Sequence, residues 1–379
     1  MRILLLGEAS FVHSTLRKGF EELGHDVVLM SDGNHGRGCP RDVDLERDMT
    51  RGKLGGLTVL WRLLKNARRL FGNDIVQIHN YQFVPLKPAW NKALLFLLKI
   101  GNKRVIKCCL GDDCIVFDGQ RRGILAYSDT HIGTRPINVE ENRWRIEEQY
   151  LPEYVDACRY ANSKADLLLP CLYEYYRYYD LPEYHDKLRY FPLPIEIPAK
   201  GGISDDKRYA FAGQKTVDGE VKDKVRVLVG IQKERDYIKG AAYVGRLVEQ
   251  VAREFPDRIE VLTVCDVPYT EYLSLLDRAD VQVDQLYSYT PSMNSIAAMA
   301  HGTVVIGGGE EEYYDFIGEP TLRPIINVRP GDDDYNLAIL RRTLPFREKI
   351  EELKRQGLLF VSKHHDYLKV CKQIEKLKD

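Results

Sequence analysis

Small hydroxyl and amide side chains gather in one stretch of this 379-residue chain, residues 279–309, ADVQVDQLYSYTPSMNSIAAMAHGTVVIGGG. Ser288, Thr290, Ser292, Asn294 and Ser295 surround what the pattern predicts to be a helix start after an apolar strand over 280–286. The first amides of a helix have no partner within it, and its dipole favours negative charge, so Ser292, Met293, Asn294 and Ser295 form an expected anion site, best suited to a phosphate. The same residues would also suit an ordinary capped helix. Elsewhere, DIVQIHN ends on His79 and Asn80, and RVIKCCLGDD ends on Gly111, Asp112 and Asp113. A histidine and a carboxylate at strand ends supply the donors, acceptors and bases of α/β clefts. Gly7, Glu8 and His13 follow the first strand and read either as rim ligands or as loop and capping residues.

The elements that must hold these groups alternate. RILLLG is a strand ending at Gly7, a helix runs to Leu23 and stops at Gly24, and DVVLMSD is the next strand. A βαβ opening predicts a parallel sheet with ligands at the carboxyl ends of its strands. There is no GxGxxG, so a dinucleotide site is not expected. Residues 118–150 read as a polar inserted loop or short lid. Residues 160–179 read as a helix end, a strand and a helix. After FPLPIEIPAKGG (191–202), stiff and then flexible as an interdomain linker is written, the alternation begins again. VRVLVG (225–230) is a strand, 231–240 a polar basic loop, 241–255 a helix, 258–264 a strand and 270–279 a helix. The last 18 residues form a helix long enough to return to the first half. The expected fold class is α/β, with two doubly wound Rossmann-like domains, 1–197 and 198–361, and a returning helix over 362–379.

Composition is that of a globular chain, 44% apolar and 29% charged, with a formal net charge of −1 that gives no bulk attraction for nucleic acid. Residues 51–107 are different: twelve bases stand against one acid, Asp74, a formal +11. Two amphipathic stretches, LTVLWRLLKNARRLF and AWNKALLFLLKIGNK, lie inside it. They read either as core helices with solvated lysines or as a peripheral contact with an anionic membrane. No apolar run reaches the ~18 residues of a spanning helix. Eight cysteines without a CxxC pair suit reduced thiols, and Cys108, Cys109 and Cys114 lack a fourth ligand at zinc spacing. The expected location is the cytoplasm, at or near the inner membrane face, with no metal.

Two alternating halves joined by a proline-rich linker, the strand ending VLVG, the Arg–x–x–x–Lys–Gly loop at Arg235–Gly240 and AMAHGTVVI at 298–306 resemble the GT-B glycosyltransferases. The chain is most similar to the retaining group 1 type, in the branch that builds bacterial surface polysaccharides. The resemblance implies transfer of a sugar from a UDP- or GDP-linked donor, without a metal or other cofactor, to a glycan or lipid-linked acceptor. The donor would lie on the second half against Gly230, Arg235, Lys239, Tyr289 and residues 292–295. Arg235 and Lys239 match the basic pair that neutralises the donor diphosphate in the family. Asp113 and His79 would be catalytic, and Gly7, Glu8 and His13 would meet the acceptor. At the two positions where the family carries a Glu–seven residues–Glu pair, this chain has Tyr289 and Ala297, and Leu110 stands where many members have His. A sugar-nucleotide epimerase or hydrolase, or a binding protein without turnover, are the alternatives on this fold.

Overall fold

The computed structural model describes residues 1–33, 38–197, 224–267 and 269–377. Two compact units result: Met1–Ile124 with Arg143–Pro194 and Tyr367–Asp379, and Leu125–Asn142 with Ile195–Asp366.

The first unit is built on a parallel sheet of β1 (Arg2–Leu6), β2 (Asp26–Ser31), β3 (Val43–Asp44), β4 (Ile75–Ile78), β5 (Val105–Cys108) and β8 (Leu167–Leu169), in the order β3-β2-β1-β4-β5-β8. Leu4 pairs with Val28 on one side and Val76 on the other. Strands covered on both faces read as unbroken apolar runs rather than alternating ones, and RILLL is such a run. The helices Val12–Glu22 and Tyr367–Lys376 pack closely, since a Cβ on Gly19 would lie 2.6 Å from Cys371 Sγ.

The second unit holds β9 (Val225–Ile231), β10 (Ile259–Cys265), β11 (Val281–Val283), β12 (Val304–Gly307) and β13 (Ile325–Asn327), also parallel, in the order β10-β9-β11-β12-β13. Val227, Val229, Val281, Val283 and Ile306 meet Val244, Val248 and Val251 of the helix Ala241–Glu254 in its core.

Several local expectations change. Residues 118–150 are not an irregular lid: the helix Cys114–Arg121 runs into them, a hairpin of β6 (His131–Ile132) and β7 (Arg135–Pro136) follows, and Arg143–Tyr150 is a helix. Within that stretch Leu125–Asn142 belongs to the second unit. Residues 231–240 are a 3₁₀ turn, Lys233–Arg235, and a one-turn helix, Asp236–Lys239. The C-terminal segment is two helices, Arg347–His364 and Tyr367–Lys376, because the His365 carbonyl turns to accept from Ile195 N at 2.8 Å. The units divide at Pro194, inside the proline-rich segment, whose residues 198–202 lie outside the described residues.

Candidate functional site

Strand β11 ends three residues earlier than its apolar pattern suggests, at Val283, and the next residue is a buried acid, Asp284. Its Oδ2 accepts from the hydroxyls of both Ser292 and Ser295. Its Oδ1 accepts no hydrogen bond among the described residues and lies 3.8 Å from Lys239 Nζ. Ser292 caps the helix Met293–Ala300, its Oγ accepting from Asn294 N at 3.1 Å and Ser295 N at 3.3 Å. Two of the amides expected to face a phosphate are therefore taken by the cap, with a carboxylate directly beneath it. The sequence displays the cap but not the acid below, because Asp284 sits in a run that reads as strand.

Lys239 reaches this point through Gly240, whose φ of +68° suits glycine and where a Cβ would lie 2.8 Å from Leu286 Cβ. Leu286 N donates to Lys239 O at 2.8 Å, tying the Arg–x–x–x–Lys–Gly turn to the segment after β11. Arg235 stands exposed at the head of the same one-turn helix. Gly230 is small for a packing reason: a Cβ there would lie 2.6 Å from the Tyr272 ring.

Next to this edge, Gly307 and Gly308 let the 285–288 backbone lie on the end of β12; a Cβ on Gly308 would be 2.0 Å from Ser288 O. The buried Tyr289 ring stacks on Tyr127 with centroids 4.4 Å apart, and its hydroxyl accepts from Tyr127 N at 3.3 Å. The Tyr127 hydroxyl donates to Glu310 at 3.0 Å, and Arg329 clasps Glu310 with two bonds of 2.8 and 2.7 Å. Burial would lift the Glu310 carboxyl, but the Arg329 fork, Asn327 and Tyr127 hold it below the usual range. Glu310 is thus committed within the fold, and Glu311 pairs with Arg323 at 2.8 Å. Neither replaces the missing glutamates by its present contacts. Asp284 is the buried acid that Lys239 approaches, and residue spacing alone does not reveal it.

In the first unit, Gly7 (φ +78°) and His79 come together at the ends of adjacent strands: a Cβ on Gly7 would collide with the imidazole, 1.9 Å from Nδ1. His79 is part-exposed there. Glu8 is 2% exposed and wraps the start of the helix Val12–Glu22, accepting from Ala9 N, His13 N and Ser14 N at 2.8 to 3.1 Å. Burial nevertheless pushes its carboxyl up to about 7. His13 is fully buried. Its Nδ1 lies 2.8 Å from Gly7 O, and Gln77 Nε2 donates toward its Nε2 at 3.3 Å. Burial holds it neutral, pushed down to about 3. The rim expected at Glu8 and His13 is therefore an internal brace behind Gly7.

Asp113 is braced in the same way. It is 1% exposed and caps the helix Cys114–Arg121 through Ile115 N and Val116 N, at 3.0 and 3.1 Å. Its other oxygen accepts from Tyr179 and lies 3.5 Å from Nζ of the buried Lys107. Asp112 is the more exposed neighbour and pairs with Arg145 at 3.0 Å. Among the described residues no group of His, Cys, Asp and Glu is placed to hold a metal, and burial pushes the Cys108 and Cys171 thiols well up.

No protein-family model matches the chain, and neither does any curated protein sequence. Solved structures do match. HepE from Anabaena, in complex with UDP and glucose, is 11% identical with a TM-score of 0.55, covering 100% of this chain and 99% of that one. Sucrose-phosphate synthase from Thermosynechococcus elongatus is 14% identical with a TM-score of 0.54, over 100% and 98%. UDP-GlcNAc 2-epimerase from Neisseria meningitidis, bound to UDP-GlcNAc, is 11% identical with a TM-score of 0.51 over the whole of both chains. At such identities the likeness is one of fold, and the chain has the α/β GT-B fold.

Proposed function

We propose that this chain is a glycosyltransferase that moves a sugar from a nucleoside-diphosphate donor to a glycan or lipid-linked acceptor, with retention and without a metal, in the building of surface polysaccharide. The observation that carries the reading is the cluster at the carboxyl edge of the second sheet, where the turn bearing Arg235 and Lys239 is tied to Asp284 and the capped helix. Ligands of open α/β sheets bind at that edge. The charge that grows on a departing diphosphate needs fixed cations, and an exposed guanidinium and a part-buried ammonium one turn apart supply two. The diphosphate so held would itself take the acceptor proton. Asp284, buried beneath the cap, would hold Lys239 and the helix start in register for the donor. In the first unit, His79 on Gly7 would order acceptor hydroxyls, while Glu8, His13 and Asp113 brace the loops around them. HepE and the synthase support a sugar-nucleotide reaction by fold, and the epimerase shows that the fold also serves sugar-nucleotide isomerisation.

Calorimetric titration with UDP and GDP tests the donor site. Arg235→Ala and Lys239→Ala should each weaken diphosphate binding about tenfold or more while leaving uridine or guanosine binding within twofold. Unchanged diphosphate affinity would remove the clamp. Incubation with a panel of sugar nucleotides then separates transfer or slow hydrolysis, which supports the transferase, from epimerised product or binding without turnover, which overturns it.

A further inference from the structure

The helices Lys53–Lys65 and Pro88–Gly101 each carry two apolar stripes, and one stripe of each faces away from the core. In the first, Gly55, Val59 and Leu63 are buried against the unit. Leu54, Leu57, Trp61 and Leu64 are 58–74% exposed. Their spacing of three, four and three places them within about 80° of one another, on the side away from the buried stripe. In the second helix Asn91, Leu95 and Leu98 are buried, while Trp90, Leu97 and Ile100 are 50–69% exposed and Ala93 is exposed between them. That spacing is again three, four and three.

The two stripes lie on one surface. The β3-to-β4 and β4-to-β5 connections step across the sheet in the same direction, and right-handed crossovers of that kind put both helices on the same face. Phe71, just after the first helix, packs on Gly101 at the end of the second, where a Cβ would lie 2.3 Å from its ring.

Charge selects the partner. No acid occurs between Asp48 and Asp74 or between Asp74 and Asp112. Some of the positive charge is consumed internally: Lys92 pairs with Asp156, Lys99 with Asp166 and Lys103 with Asp74, and Lys107 is buried. Lys65, Arg68, Arg69 and Lys87 remain exposed without an ion-pair partner among the described residues, and the Lys65 ammonium lies 5.3 Å over the Trp61 ring. A second copy docking through this face by a two-fold axis would set these cations against their own counterparts. A polyanion such as nucleic acid would leave Leu64 and Ile100 in water. A bilayer with anionic headgroups takes both kinds of group, leucines and isoleucine at the acyl boundary, tryptophans at the interface and cations among the phosphates.

We propose that the Leu54–Leu57–Trp61–Leu64 and Trp90–Ala93–Leu97–Ile100 stripes form a docking face for an anionic phospholipid bilayer, flanked by Lys65, Arg68, Arg69 and Lys87. The face stands on the first unit alone and rests on nothing in the transferase reading. The full chain is floated with vesicles of phosphatidylcholine, or of phosphatidylcholine with about one third phosphatidylglycerol, at low and high salt and without nucleotide. Binding to the anionic vesicles, weakened by salt, is expected. Trp61→Glu with Leu64→Glu, both at exposed positions, should abolish it at an unchanged melting temperature, and Arg68→Gln with Arg69→Gln should weaken it roughly thirtyfold. No flotation, equal binding to both vesicles, or binding untouched by the Trp61 and Leu64 changes overturns the proposal. So does a dimer in light scattering that those two changes split, which would assign the face to a second copy. Failure here leaves the nucleotide titrations standing, and the reverse also holds.

Discussion

Asp284 lies 3.8 Å from Lys239 through one carboxylate oxygen, while its other oxygen accepts from both Ser292 and Ser295. One acid therefore connects the basic turn to the helix cap. It has two consequences that oppose each other: it orders both elements, and its charge competes with any anion for Lys239. In the proposed donor site, diphosphate binding would depend on cations that reach past the acid, not on the helix tip.

Ser292→Ala tests that division. Losing the cap should cost about 1 kcal/mol of unfolding free energy. Affinity for UDP or GDP should stay within twofold, since the cap occupies the Asn294 and Ser295 amides in the protein as folded. Urea denaturation and calorimetry read the two quantities separately, and a large loss of affinity would return the phosphate to the helix start.

Asp113→Asn keeps a competent helix cap but leaves the buried Lys107 without its carboxylate. Stability should fall by about 3–5 kcal/mol, as when one partner of a buried pair is removed. Replacing Lys107 by Met as well should recover much of that loss. Asp113→Asn at full stability would argue against the brace assigned to it here.

Acid titration separates His13 from Glu8. His13 is pushed from 6.5 down to about 3, so its contribution is whole above pH 6.5 and is lost as pH falls toward 3. Glu8 is raised from 4.5 to about 7, so its contribution is whole below pH 4.5 and is lost as pH rises through 7. Each slope approaches about 1.4 kcal/mol per pH unit, so between pH 6.5 and 4.5 the two nearly cancel. The deficit of His13→Asn relative to the parent should narrow as pH falls from 6.5, and that of Glu8→Gln should narrow as pH rises from 4.5 to 7. Denaturation curves at stepped pH check both, and deficits independent of pH would refute the assignment.

Tyr127→Ala removes the ring stacked on Tyr289 and the hydroxyl bonded to Glu310. The segment Leu125–Asn142 should then open more often, and a glutamyl endopeptidase should cut after the exposed Glu141 about a hundredfold faster, the equivalent of about 3 kcal/mol. Fragment masses over time give the rate. An unchanged rate would mean that other contacts hold the hairpin.

Features written in local pattern were legible in the chain itself. The apolar runs at 2–6, 75–78, 105–108 and 225–231, each closed by a turn, mark two parallel sheets, and a Ser followed by Met-Asn-Ser marks a helix start. The proline-rich stretch around Pro194 lies at one of the four places where the chain passes between units. These signals depend on neighbours a few residues apart, which is the range over which periodicity and capping act. Tertiary structure alone decided which polar residues are free. Glu8, His13 and Asp113 read as site residues by type, yet packing buries each and occupies its polar atoms. Asp284 reads as strand, yet topology delivers it to Lys239 from 45 residues away in the chain. Tyr127 finds Tyr289 and Glu310 across more than 160 residues. The second apolar stripes could not be told from core stripes, because a helix pattern shows which residues share a face and only the packed sheet shows which face is covered.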